Sequence, residues 1–176
     1  MSGRVVLALP PAVRTALWQH LLPNGKGSEE AAFVFAMHEA RNGAELLRCV
    51  EWRQVPPEGF VSRSGFHLEL TDETRAGVIK RAHDLGASLV EFHSHTGSWS
   101  AEFSGSDLAG FREFVPHIWW RLKGRPYVAV VVTHSGFDGF AWLTGPRVPE
   151  PLGGILVGEN LLTPTGLSRW EADLDD

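Results

Sequence analysis

Two histidines stand one residue apart, His93 and His95, and after eight intervening residues comes Ser-Gly-Ser-Asp, Ser104 to Asp107. On an extended chain, side chains at i and i+2 leave the same side, so both imidazoles can reach one cation. Asp107 falls in the first turn of a predicted helix that Ser104 can cap, where the helix dipole also favours a carboxylate. Two neutral imidazoles and one carboxylate make a catalytic type of zinc set, because a fourth position stays open for water. Either half alone is ordinary: an H-x-H pair is usually a hydrogen-bonded pair, and an aspartate in a first turn is usually a dipole partner. The two together, spread over a strand end, a loop and a helix start, point to chemistry. The expectation is one Zn2+ per chain, held by His93, His95 and Asp107.

Stepping outward, "ASLVEFHSH" reads as the strand that carries both histidines. A loop, Thr96 to Phe103, leads to the helix of Leu108, Phe111, Phe114 and Val115. Upstream, Thr71 caps a helix whose apolar face is Val78, Ile79, Ala82 and Leu85, with Gly86 as its stop. "VVLAL" is a first strand, and Pro10 and Pro11 open a helix with Val13, Ala16, Leu17 and Leu21 on one stripe. "AAFVFAM" and "ELLRCVEW" read as a hairpin around "ARNGA". Pro56 to Ser64 reads as a loop, Phe66 to Leu70 as a strand, and "YVAVVVT" as a buried strand that Asp138-Gly139 turns into "FAWLT". The fold class expected is α/β, a mixed central sheet flanked by helices.

The 176 residues suit one domain. A net charge of −5 with scattered lysines and arginines argues against nucleic acid. Cys49 is the only cysteine, which excludes a disulfide framework and a thiolate zinc site and makes a reducing cytoplasm the expected location. Cys49 itself is expected in the core. The first apolar run is too short to span a membrane and is broken by proline. His117 and His134 lack metal spacing and are expected to be structural. Trp119 and Trp120 are adjacent, so one should face the core while the other is a candidate partner contact.

His93-Ser94-His95 followed by Ser104-Gly105-Ser106-Asp107 resembles the JAMM motif of MPN-domain (JAB) metalloproteases, an H-x-H followed by S-x-x-D. The resemblance runs from the first helix to the strand near Val130. It departs from the family in three places: the linking loop is one residue longer than usual, Thr96 and Phe103 stand where prolines are common, and Met37 or Ala36 replaces a glycine. It implies a single MPN-type domain over residues 1–160, with 161–176 as a partly disordered tail. It also implies a glutamate base on the strand after the first helix, and "SEEAAFVFAM" occupies that place. Glu29 and Glu30 point to opposite faces of a strand, so one alone can face the metal. Aligning Met37 with the family glycine selects Glu30, the preferred base, while aligning Ala36 selects Glu29.

The activity so implied is hydrolysis of an isopeptide or peptide bond at the C-terminus of a ubiquitin-like protein. Zinc would lower the pKa of its water to about 7, Glu30 would move the proton, and Ser104 would donate to the developing oxyanion. Trp99 and Phe103, in the loop between ligands, would flank the substrate tail. Two other classes remain: a zinc hydrolase of small amides or sulfur-carrier adducts, and a metal-free MPN scaffold that only binds partners.

Overall fold

The computed structural model describes residues 4–24, 27–64, 68–97 and 99–171. It is a mixed α/β fold built on one large sheet. In chain order come β1 (Val5–Leu9), α1 (Pro11–Leu21), β2 (Ala31–Arg41), β3 (Ala44–Gln54), β4 (Phe60–Arg63), β5 (Leu68–Leu70), α2 (Asp72–Leu85) and β6 (Ser88–Ser94). Then follow α3 (Gly105–Arg121), β7 (Tyr127–Thr133), β8 (Gly136–Trp142), β9 (Glu150–Pro151), β10 (Gly154–Val157) and β11 (Asn160–Leu162). The main sheet has the order β11-β10-β1-β3-β2-β6-β7-β8-β9, and β4 and β5 form a separate small hairpin. The pairs β1–β10, β1–β3 and β6–β7 are parallel and the rest antiparallel.

Local signals set the helices. Pro11 opens α1. The Thr71 hydroxyl accepts the Thr74 N–H to cap α2, and Gly86 ends it in the left-handed conformation (φ 66°). At the hairpin between β2 and β3, Asn42 and Gly43 both take positive φ, which a type I′ turn requires. The sheet divides two cores. Leu17 and Leu21 of α1 pack with Ala32, Val34, Val90, Phe92, Val130 and their neighbours on one face. On the other, α2 and α3 cover Phe33, Phe35, Leu89, Tyr127 and Val131. Cys49 is buried, and burial pushes its thiol pKa up. Trp119 packs on the second core while Trp120 is exposed.

Two expectations are corrected. Asp138-Gly139 is not a turn but the middle of β8, and the chain reverses at His134-Ser135. Asp138 is buried because its carboxylate accepts the N–H groups of Gly166 (3.2 Å) and Ser168 (2.8 Å). Gly139 is needed for close packing: a Cβ there would lie 2.8 Å from a Leu152 methyl. The stretch Pro56 to Ser64 is not all loop, since Phe60–Arg63 pairs with β5; Phe66 and His67 of the expected strand lie outside the described residues. Of the expected tail, residues 161–171 belong to the fold, and 172–176 lie outside the described residues. Trp170 packs edge-on to Phe140 and Trp142, with Arg112 over its ring. No helix among the described residues is long and apolar enough to cross a membrane.

Candidate metal centre and its cleft

β6 places the histidines. His93 pairs with Ala31 of β2 and with Val131 of β7, and the His95 N–H donates to the Val132 carbonyl at 3.0 Å. Central strands on both sides thus fix the backbone before either ring is positioned. Asp107 comes from the first turn of α3 through a capping box: its N–H donates to Ser104 Oγ at 3.1 Å, and its Oδ2 accepts the Ser104 N–H at 2.8 Å. The loop between ligands is tied down by the C-terminal segment. The Phe103 N–H donates to Ser168 Oγ at 2.9 Å, and the Thr165 hydroxyl donates to the Ala101 carbonyl at 2.6 Å.

These elements bring three donor atoms together. His93 Nε2 lies 3.3 Å from His95 Nε2 and 3.2 Å from Asp107 Oδ2, and the remaining separation is 3.1 Å. A tetrahedral zinc with bonds of about 2.0–2.1 Å separates its ligands by about 3.3–3.4 Å, so the residues fit the ion. The chemistry of the donors agrees. Two ring nitrogens facing each other across 3.3 Å share one carboxylate oxygen, an arrangement that a common cation satisfies for all three. Without it, a proton on His93 takes part of that role. Burial works to lower the His93 pKa, but the Asp107 charge and hydrogen bond outweigh it and push it up to about 9. For Asp107, burial works upward, yet His93 and the other donors hold its pKa well below the usual carboxylate range.

The glutamate facing this cluster is Glu29, not Glu30. Glu29 Oε1 lies 4.0 Å from His95 Nε2, and the side chain lines the cleft with His93, Ser104 and Asp107. Glu30 turns to the opposite face, where its carboxylate accepts from Arg63 Nη1 at 2.5 Å and lies 3.9 Å from His20 Nε2 of α1. The reason is strand parity: Ala31 sits opposite His93, so the residue two before Ala31 shares the histidines' face.

The two loop aromatics also part company. Trp99 is 77% exposed and lies against Gly97. Phe103 is 5% exposed, stacked on Phe140, edge-on to Phe111 and beside the His93 ring. Expected beside the substrate tail, it packs in the core against the His93 ring. Ser104 is exposed at the cleft mouth, its oxygen engaged as the cap. Its hydroxyl hydrogen is left to donate outward.

Sequence reasoning missed the residues that complete the surroundings: Arg63, which engages Glu30, and Glu91 and Tyr127 in the cleft floor. For Glu91 a signal existed, since it lies at i−2 from His93 in the same strand and so on the same face. No family model matches the chain, and no curated protein matches it.

Proposed function

We propose that this chain is a zinc-dependent amide hydrolase of the JAMM type, with an MPN-type domain, that cuts at the C-terminus of a ubiquitin-like protein. The observation that carries the reading is the set of three donor atoms 3.1–3.3 Å apart with the Glu29 carboxylate 4.0 Å from one of them. When bound, zinc supplies Lewis acidity toward water and toward a carbonyl. Glu29, in place of Glu30, takes a proton from the attacking water on a carboxylate oxygen and returns it to the leaving amine. The Ser104 hydroxyl donates to the carbonyl oxygen as charge gathers there. Phe103 and the β6 pairing hold His93 still through both transfers. Trp99 offers a rigid aromatic surface to an extended tail. A purely binding scaffold has no use for a complete ligand set with an adjacent base. A second reading, hydrolysis of small amides, is favoured by the cleft of about 340 Å³ beside the cluster.

The test is to incubate the zinc-loaded protein with ubiquitin-like fusions and with small amides, and to identify products by mass spectrometry. Cleavage at the last residue of a ubiquitin-like protein, lost on chelation and in Glu29→Gln, is expected. Cleavage of small amides alone supports the second reading, and no cleavage of either refutes both.

A further inference from the structure

The cleft does not end at the donor cluster. It continues between α2 and α3 into a second space of about 280 Å³, and both parts share Phe33, Asp72, Arg75, Glu91, Phe114 and Tyr127. Glu91 is two residues before His93 on the same strand face, so it stands about 7 Å along the strand from that ligand. One of its oxygens, Oε2, accepts the Tyr127 hydroxyl at 2.6 Å. Around the pair are the apolar side chains of Phe33, Leu70 and Phe114. Among the described residues no lysine or arginine comes within ion-pair distance of Glu91. Two arginines line the cleft, Arg75 and, in its second part, Arg121; the Arg75 guanidinium lies over the Phe114 ring at 3.8 Å.

A carboxylate set among aromatic walls normally has a cation or several donors around it, because an incompletely paired charge is costly away from water. Here, among the described residues, the hydrogen bond to Glu91 comes from a neutral hydroxyl, and its charge is also felt by the His93 ring. We infer that the cleft binds the side chain of a lysine or arginine flanking the scissile amide, its aliphatic stem against Phe33, Leu70 and Phe114 and its charged head on Glu91. Lysine and arginine are suited to such a space, being apolar along the stem and charged at the tip. The strand spacing between Glu91 and His93 matches the reach of one such side chain when the amide lies at the cluster. The word "scissile" rests on the hydrolase reading; the binding does not.

Nα-acetyl-lysinamide, Nα-acetyl-argininamide and the neutral Nα-acetyl-norleucinamide separate the possibilities, titrated into the zinc-loaded and metal-free protein and followed by NMR shifts. The charged probes should bind about tenfold tighter than the norleucine probe, the size expected of a hydrogen bond to a charged group. Glu91→Gln keeps an acceptor for Tyr127, so zinc content and melting temperature should stay while the ratio falls to about one. Equal binding of the three probes by the native protein overturns the assignment, as does a preference that survives Glu91→Gln. A preference for the charged probes with no cleavage of any amide or fusion upholds the cleft assignment while the hydrolase reading fails. Cleavage with no such preference does the reverse.

Discussion

Exchanging Glu29 and Glu30 one at a time for glutamine gives opposite phenotypes at neighbouring positions. Glu30 is 4% exposed and holds Arg63, whose side chain is 19% exposed. Breaking a fully buried pair costs about 3–5 kcal/mol. Glutamine retains one acceptor and Arg63 is partly solvated, so about 2 kcal/mol is expected for Glu30→Gln, a fall in melting temperature of roughly 4–8 °C for a domain of this size. Turnover per folded molecule should change little. Glu29 has its carboxylate beside His95 and on the same cleft as Asp107. Glu29→Gln should keep the fold and the bound zinc, because a general base moves a proton and holds no metal. Its turnover should fall by about 10²–10⁴, the usual contribution of a general base. Zinc content, thermal melts and cleavage of a ubiquitin-like fusion, measured on the same preparations, give all the numbers. An inactive Glu30→Gln with native stability, together with an active Glu29→Gln, would show that the parity argument is wrong.

Three further outcomes follow from the geometry. Zinc at a hundredfold excess over its dissociation constant should stabilise the protein by about 2.7 kcal/mol, reversibly with chelator, and His95→Ala should abolish that shift and lower bound zinc from near one per chain. In chelator the His93–Asp107 pair should be most stabilising between the ordinary aspartate value of 3.8 and the ordinary histidine value of 6.5. A raised histidine pKa contributes fully below its unfolded value and is lost as pH rises through about 9, while a lowered aspartate pKa contributes above its unfolded value and is lost in acid; the urea-midpoint gap between native protein and Asp107→Asn should thus be wide at about pH 5 and narrow at about pH 10. Phe103→Ala should cost about 3–5 kcal/mol in urea melts, whereas Trp99→Ala should stay within about 0.5 kcal/mol and weaken use of a ubiquitin-like substrate.

What could be read from the sequence was what is encoded locally. The i, i+2 histidines, the Ser104 cap with Asp107 at N3, the Thr71 cap and the Gly86 stop are all decided within a few residues, and the structure has each in place. The choice between Glu29 and Glu30 was not local, because it depends on Ala31 meeting His93 across a gap of sixty-two positions. Phe103 and Trp99 look alike in sequence. Their separation comes from Phe140, Phe111 and the Ser168 hydroxyl, all supplied from elsewhere in the chain. Asp138-Gly139 carried a turn signal that was overridden because the Gly166 and Ser168 N–H groups satisfy the aspartate inside β8. The β10 and β11 strands escaped notice because both are short, and β10 is recruited by parallel pairing with β1.

The side-chain sizes along β2 have a consequence for the two glutamates that precede it. The residues facing α2 and α3 include Phe33 and Phe35, while those facing α1 are Ala32, Val34 and Ala36. Turning the strand over would press two phenyl rings into space shaped for methyl groups and leave voids where the rings had been. Steric bulk in the middle of the strand therefore selects which of two chemically identical carboxylates meets the donor cluster. On the mechanism proposed above, the base would thus be chosen by the volume of side chains that take no part in the proton transfer.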